Sequence, residues 1–186
     1  MKKYLVGADE VGRGCLFGPV VAAAVILGNN NNFDLKDSKK LSEKKRSILF
    51  REIERNAIKI SIGQASVKEI DSLNIKEASL LAMERAILGL KTKNIEVIVD
   101  GIDIPKINYP CKAIIKADDK IPEVMAASIV AKVHRDNLMI ALSKKYPDFS
   151  LEKNKGYPTK EHLNILKSLG PTEYHRKSFK PVLDAR

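Results

Sequence analysis

Residues 4–28 read YLVGADEVGRGCLFGPVVAAAVILG, and this stretch predicts the centre of a β-sheet. Its first apolar run is short and β-prone, and it ends at two acids, Asp9 and Glu10. Gly18–Gly28 is a continuous apolar run between glycines, which is typical of a strand buried on both faces. Because the glycine-rich turn Gly12–Gly14 follows the acids, we predict two neighbouring strands joined by this turn.

Helical and strand patterns alternate along the rest of the chain. They predict helices over residues 43–56 (capped by Ser42), 75–90 (capped by Asn74), 122–146 (Pro122 in its first turn) and from Thr159 to the Gly170–Pro171 stop, and strands over residues 57–66, 96–99 and 111–116. The small residues Ala126, Ala127, Ser128 and Ala131 favour close packing of the third helix on the sheet. With no internal repeat and no linker, the chain is predicted to form one α/β domain over residues 1–186 with a mixed sheet.

The composition narrows the possible classes of protein. Lys and Arg number 33 against 23 Asp and Glu, a net charge of +10, which favours polyanionic partners, although a lysine-rich surface has the same effect. Cys15 and Cys111 lie in no CxxC or Cys/His cluster, so we expect reduced thiols and no zinc site. No apolar run is long enough to span a membrane, and the first one is interrupted by acids, so we expect a cytoplasmic protein with no signal peptide.

Acidic residues follow three of the predicted strands: Asp9 with Glu10, then Asp100, then Asp118 with Asp119. In open α/β sheets, sites form at the carboxyl ends of strands, and converging carboxylates repel one another unless cations neutralise them. Oxygen ligands of this kind select magnesium or manganese. Each acid by itself is explained as well by the end of a strand in water, but the set in a basic protein predicts a metal site that acts on phosphodiesters.

Adjacent residues of a regular strand point to opposite faces of the sheet. Asp9 and Glu10 therefore cannot both reach one site from ideal β geometry. We expect Glu10 to lie where the strand is already breaking, ahead of the Gly12–Gly14 turn.

Eight stretches of the chain carry a family resemblance: GADEVGRG, GPVVAAAVIL, DSKKLSEKKR, IDSLNI, VDG, KADDKIPEVMAASIVAKVHRD, NKGYPTKEHL and GPTEYHRKSF. In this order the sequence resembles bacterial ribonuclease H type 2. The resemblance implies an RNase H-like fold, a mixed five-stranded sheet flanked by helices, in which a helical segment from about residue 159 completes the substrate cleft. It also implies an endonuclease for the RNA strand of RNA–DNA hybrids and for single ribonucleotides in duplex DNA, with a role in ribonucleotide excision, replication and repair.

The resemblance assigns roles to particular residues. It implies that Asp9, Glu10, Asp100 and Asp118 hold two Mn²⁺ or Mg²⁺ ions, whereas Asp119 falls where the family is not acidic. Hydrolysis is expected 5′ to a ribonucleotide, with two ions bridged by Asp9 aligning a water, and it leaves 5′-phosphate and 3′-hydroxyl ends.

Recognition of the ribose maps onto the backbone of Gly12, Arg13 and Gly14, with Tyr157 closing on the sugar. The 2′-hydroxyl is what distinguishes RNA from DNA at a site, although Tyr157 is also explained as a plain surface tyrosine. Lys39 is the first choice for a phosphate contact, and four other cations remain open: Lys40, Arg46, Arg176 and Lys177.

The sequence departs from the family pattern at Cys15 (proline is frequent), Ile102 (asparagine), Ala117 (glycine) and Asn154 (histidine). None of these removes a metal ligand, but Ile102 and Asn154 bear on the support of the site. We expect a monomer without the extra N-terminal domain of the type 3 relatives. Two rival functions remain: a nuclease or phosphotransferase of the same fold acting on DNA, and a non-catalytic nucleic-acid binder.

Overall fold

The computed structural model describes residues 3–28 and 42–185, and a five-stranded sheet forms the centre of the protein. Its strands are β1 (Tyr4–Val11), β2 (Val20–Leu27), β3 (Ala57–Ala65), β4 (Ile95–Asp100) and β5 (Cys111–Ile114), in the spatial order β3-β2-β1-β4-β5. The β1–β2 and β2–β3 pairs are antiparallel, and the β1–β4 and β4–β5 pairs are parallel. The predicted mixed sheet and the predicted pairing of the two N-terminal strands are therefore confirmed.

Seven helices surround this sheet in the described part of the chain: α1 (Glu43–Asn56), α2 (Val67–Leu73), α3 (Ile75–Gly89), α4 (Pro122–Ser143), α5 (Leu151–Asn154), α6 (Lys160–Leu169) and α7 (Lys180–Leu183). The predicted caps are confirmed, since the side chains of Ser42, Asn74 and Thr159 accept backbone N–H groups at the starts of α1, α3 and α6. None of the helices described is both long and apolar enough to cross a bilayer.

The prediction differs from the structure in several element bounds, and it missed the short helices α2, α5 and α7. Helix α4 ends at Ser143, three residues early, and β5 ends at Ile114 instead of residue 116. Helix α2 was not predicted, although Ser66 and Glu69 form a capping box that marks its start. Seven residues are too few for an apolar stripe to show, so the caps carry the only local signal for α2.

The two faces of the sheet are both covered, because strand side chains alternate between them. All eight residues of β2 are buried, as its unbroken apolar run predicts. Val6 and Ala8 of β1 share one core with α2 and α3. The opposite face packs against α1 and α4, with Ile53 and Ala127 among the buried residues.

Helix α4 approaches β1 at backbone distance. A Cβ atom added to Gly7 would lie 2.2 Å from the backbone nitrogen of Val124, so only glycine fits at this position. Ala126, Ala127 and Ala131 are fully buried along the same helix, which confirms the predicted close packing of small residues on the sheet.

The C-terminal segment is anchored by a buried pair of histidines. The backbone N–H of Thr172 donates to Nδ1 of His175 (3.0 Å), and the Nε2 atoms of His175 and His162 lie 3.2 Å apart. His175 Nε2–H therefore donates to His162, whose Nδ1–H donates to the carbonyl oxygen of Tyr157 (2.9 Å). Both rings are neutral in this chain of hydrogen bonds.

This histidine pair makes the stability of the fold depend on pH. Burial lowers the pKa of His175 to about 3, while an unfolded histidine titrates near ~6.5, so the unfolded state binds more protons between these values. The free energy of unfolding should therefore fall as the pH drops from neutral, by about 1 kcal/mol between pH 7 and about 5.5 for this one group. Chemical denaturation at the two pH values measures this change in the free energy of unfolding.

His175→Gln should flatten this pH dependence, and His134→Gln, on the exposed face of α4, should leave it unchanged. An equally steep loss of stability in the His175→Gln protein would contradict the assignment.

Candidate active site

A cleft of about 300 Å³ opens where β1 and β4 end. It brings together all four acids that the sequence predicts for the site: Asp9, Glu10, Asp100 and Asp118. Asp9 lies near the end of β1, Asp100 is the last residue of β4, and Asp118 lies in the 3₁₀ turn that follows β5. The carboxyl ends of parallel strands thus deliver acids from three segments to one place.

Strand β1 does not break at Glu10, contrary to our expectation. It remains paired with β2 through Val11, whereas its pairing with β4 ends at Ala8. The β4 side of β1 is therefore open beyond Ala8. Asp9 and Glu10 begin on opposite faces of the sheet, and both side chains reach the cleft at this opening.

The acids raise one another's proton affinity. Burial raises the pKa of Asp9 well above its ordinary value, the charge of Glu10 raises it further, and a hydrogen bond with Ser128 opposes both. Burial also raises the pKa of Glu10, and its contact with Arg13, at 3.1 Å between Oε1 and Nη1, opposes that shift. The second oxygen of Glu10, Oε2, is buried without a hydrogen-bond partner among the described residues.

The carboxylate oxygens line one cleft, but they are not arranged as a complete coordination shell. Within the described ranges, no three Asp, Glu, His or Cys side chains stand close enough to hold an ion as they are. The chemistry of the donors, all carboxylate oxygens, fits magnesium or manganese and does not fit zinc.

Asp100 and Asp118 are tied together through the backbone. The N–H of Ala117 donates to Oδ1 of Asp100 at 2.7 Å, which fixes the turn carrying Asp118 against the end of β4. Asp118 is buried, whereas Asp119 is exposed. Exposure agrees with the expectation that Asp119 is a bystander.

The predicted ribose-reading residues lie beside the acids. Tyr157 lines the cleft, 37% exposed, with the Lys132 ammonium 5.5 Å from its ring centroid. The Gly12–Gly14 turn does not line the acidic cleft itself, but Arg13 reaches it by contacting Glu10. Lys39 and Lys40 lie outside the described residues.

The two glycines of the turn have different surroundings. Gly12 has a φ of +89°, and a Cβ there would lie 2.2 Å from Nε of Arg135. Gly14 has nothing within 4 Å of its Cβ position. The first glycine is therefore required by the fold, and the second leaves open space at the surface.

Sequence reasoning missed some side chains of the cleft. Ser128 and Lys132 line it from α4, and Asp136 holds the lysine by an ion pair of 2.7 Å. Their i, i+4 spacing, which places all three on one side of a helix, was the available signal. Arg46, left open as a phosphate contact, lines the cleft, whereas Arg176 is fully buried and cannot meet a phosphate at the surface.

Three of the four residues that depart from the family pattern form hydrogen bonds near the site. Asn154 donates to the carbonyl of Phe149 (2.6 Å) and accepts from the N–H of Gly156 (2.7 Å), next to Tyr157. Ala117 holds Asp100, as described above. Cys15 is fully buried, and its Sγ lies 3.8 Å from the carbonyl oxygen of Lys155. Ile102 is 77% exposed.

Together, the strand order and the acids at the strand ends define a metal-dependent nuclease with the RNase H-like fold. Sequence comparison narrows this class: the Ribonuclease HII family model matches residues 6–182. The chain belongs to the ribonuclease HII family, and it is an endoribonuclease for RNA–DNA hybrids.

Relatives from bacteria match nearly the whole chain. Ribonuclease HII of Pelagibacter ubique is 53% identical, and the match covers 98% of each chain. Ribonuclease HII of Hydrogenovibrio crunogenus is 52% identical over 97% of this chain and 87% of its own. Among solved structures, the complex of PCNA with ribonuclease HII from Archaeoglobus fulgidus matches with a TM-score of 0.81, at 30% identity over 95% of each chain. Bst-RNase HIII in complex with Mn²⁺ (18% identity, TM-score 0.76, 98% of this chain and 69% of its own) shares the fold.

The contrast between the two glycines gives a stability test. Gly12→Ala should lower the free energy of unfolding by about 1–3 kcal/mol, because its Cβ collides with a buried guanidinium and the backbone conformation is strained. Gly14→Ala should change it by less than about 0.5 kcal/mol. Denaturant unfolding of both variants measures the difference, and equal losses would contradict the geometry of the turn.

Proposed function

We propose that this protein cuts the RNA strand of RNA–DNA hybrids and also cuts 5′ to single ribonucleotides in duplex DNA. It acts as a cytoplasmic monomer and a single domain over residues 1–186, whose helical segment from about residue 159 completes the cleft. The observation that carries the proposal is the cleft itself, in which four carboxylates, Lys132 and Tyr157 meet.

Asp9, Glu10, Asp100 and Asp118 are the proposed metal ligands. The buried Oε2 of Glu10 has no hydrogen-bond partner among the described residues, and burial, together with the charge of Glu10, raises the pKa of Asp9. A divalent cation would supply the positive charge that favours the ionised form of both acids. We propose two Mn²⁺ or Mg²⁺ ions, in keeping with the Mn²⁺ bound by Bst-RNase HIII. When bound, ions of this kind would activate a water and stabilise the leaving oxygen of the phosphodiester, and the proposed cut would leave 5′-phosphate and 3′-hydroxyl ends.

The chain's own cations would orient the nucleic acid. Lys132 and Arg46 line the cleft beside the acids, and Asp136 holds both, at 2.7 Å and 3.7 Å. Held in this way, they keep a defined position in which they can neutralise a phosphate next to the bond that is cut. Lys39 remains a further proposed phosphate contact.

Ribose selectivity is proposed to come from the Gly12–Gly14 turn and Tyr157. Gly14 offers open space where a sugar can approach the backbone, and Arg13 projects from the same turn with its side chain about half exposed. Tyr157 is held through its carbonyl by His162 and carries a ring at the edge of the cleft. Backbone groups and an aromatic ring can hydrogen-bond and pack against a 2′-hydroxyl sugar and so separate RNA from DNA.

Asp100→Asn tests the metal site. The amide keeps the oxygen that accepts from Ala117 and removes one charge, so the metal-free protein should keep its stability or gain up to about 1 kcal/mol. Cleavage with Mn²⁺ should fall by about 100-fold or more, since charge stabilisation by bound metal amounts to several kcal/mol. The rise of Tm on adding Mn²⁺ should also shrink.

Asp119→Asn is the matched control, because it makes the same change of charge at the exposed neighbour of Asp118. If the Asp100→Asn protein cleaved at the rate of the wild-type protein, the metal site would be misassigned. A wild-type protein that binds the duplex but cuts no substrate in either metal would favour the non-catalytic binder.

Defined duplexes test the proposed substrate. A duplex with one ribonucleotide should be cut on its 5′ side, and the same duplex made only of DNA should stay intact. Gly14→Ala and Tyr157→Ala should lower kcat/KM for the ribonucleotide duplex by about 10–100-fold, because small misplacements of a substrate have effects of this size.

Leu88→Ala, which changes an exposed apolar residue near the end of α3, serves as the control, and this protein should cut normally. Equal cutting of the DNA-only duplex by the wild-type protein would favour the DNA nuclease instead.

A further inference from the structure

Arg135 is a fully buried arginine of α4 whose guanidinium group connects two separate segments. Nη2 donates to the carbonyl of Phe17 (2.9 Å) and Nε to that of Pro19 (3.2 Å), both in the segment that follows the Gly12–Gly14 turn. Nη1 donates to the carbonyl of Lys155 (2.8 Å), two residues before Tyr157. One side chain therefore joins the segment of the turn to the segment of Tyr157.

The same guanidinium also fills the space between the two segments. Its Nε lies 2.2 Å from the Cβ position of Gly12, and its Nη2 lies 3.4 Å from that of Gly156. The absence of a side chain at these glycines lets the arginine lie directly against the backbone on both sides. One guanidinium group therefore fills the space between the backbones of Gly12 and Gly156.

Arg176 is the second fully buried arginine at this place. Its Nη1 donates to the carbonyl of Arg13 (2.8 Å), inside the turn, and its Nε donates to the carbonyl of Gly18 (2.9 Å). The Arg176 side chain thereby closes the loop between β1 and β2 from the C-terminal segment.

Both guanidinium groups are buried against backbone carbonyl groups. Among the described residues, no carboxylate forms an ion pair with Arg135 or Arg176. Nη2 of Arg176 is buried with no hydrogen-bond partner, and burial lowers the pKa of Arg176 to about 10. Buried charges without a counter-ion are costly, and apolar side chains of similar volume often replace them without loss of stability.

We propose that Arg135 and Arg176 are positioning residues for ribose recognition. They hold the carbonyl groups of the turn and of the Tyr157 segment, so that the turn, Tyr157 and α4 keep one fixed arrangement. Since α4 also carries Ser128 and Lys132 of the cleft, Arg135 sets the position of the ribose-reading groups relative to the acids. The inference rests on the proposed function of Gly12–Gly14 and Tyr157.

The planar fork of arginine is essential to this role. A lysine keeps the charge, but its single ammonium cannot reach two carbonyls in the fixed directions that a guanidinium spans. Arg135→Lys and Arg176→Lys should therefore release the turn while the acids stay in place. Neither arginine lines the acidic cleft, so we expect metal binding to be unaffected and sugar discrimination to fall.

The experiment measures discrimination directly. In the Asp100→Asn protein, fluorescence anisotropy gives the Kd for a duplex with one ribonucleotide and for the same duplex with a deoxyribonucleotide at that position. The discrimination ratio is the Kd for the deoxyribonucleotide duplex divided by the Kd for the ribonucleotide duplex. Adding Arg135→Lys or Arg176→Lys should lower this ratio by about 10-fold, within the range that small misplacements produce. In the otherwise native protein, each change should leave the Mn²⁺-induced rise of Tm unaltered.

Ile87→Ala is the matched control for lost stability, because it empties a buried position of α3 in the core on the other face of the sheet. It should lower Tm and leave the ratio unchanged. Arg176→Gln, which keeps a donor without a charge, gives a second reading at that site if lysine prevents folding, and it should also lower the ratio.

The outcomes distinguish a failure of the positioning role from a failure of the proposed ribose-reading site. If Tyr157→Ala and Gly14→Ala lower the ratio but the arginine variants keep it, the positioning role is wrong and the proposed function stands. If Ile87→Ala lowers the ratio as much as the arginine variants do, the arginines are only structural and the inference is overturned. If Tyr157→Ala and Gly14→Ala themselves keep the ratio, the proposed ribose-reading site is wrong.

Discussion

Helix α4 packs on the middle of strand β1 at a distance that only a glycine allows. A Cβ at Gly7 would meet the backbone of Val124 at 2.2 Å, so any side chain there would push the helix away from the sheet. The position of α4 then decides the site, because this helix carries Ser128 beside Asp9, Lys132 in the cleft and Arg135 against the turn. The cleft thus depends on one close contact between a helix and a strand.

Charge is buried on both sides of the Gly12–Gly14 turn. On one side, burial raises the pKa of Asp9, and the charges of the neighbouring carboxylates raise it further. On the other, the two guanidinium groups hold carbonyl oxygens and lack carboxylate partners among the described residues. Both arrangements cost folding free energy. The proposed metal would offset that cost at the acids, and the proposed positioning role explains why the buried arginines are kept. Gains in stability from neutralising either side would be expected to reduce function.

Local signals explain which parts of the fold could be predicted. Caps such as Ser42 and Thr159 act within one helical turn, and the apolar run of β2 reports burial on both faces without reference to any other segment. The acids Asp9 and Asp100, each at the end of an apolar run, were visible for the same reason. The continuation of β1 through Val11 was not, because it depends on hydrogen bonds from β2 while β4 has already separated.

The sequence by itself determined the order of the strands and of the four longest helices, most of the caps of these helices, and the set of acids that gathers near the strand ends, since these follow from patterns within a few residues. Only the tertiary structure decided that Arg176 is a buried support and not a surface phosphate contact. Its partners Arg13 and Gly18 lie more than 150 residues away in the chain. Burial depends on which distant segments meet, and the local pattern of a basic stretch carries no information about that contact.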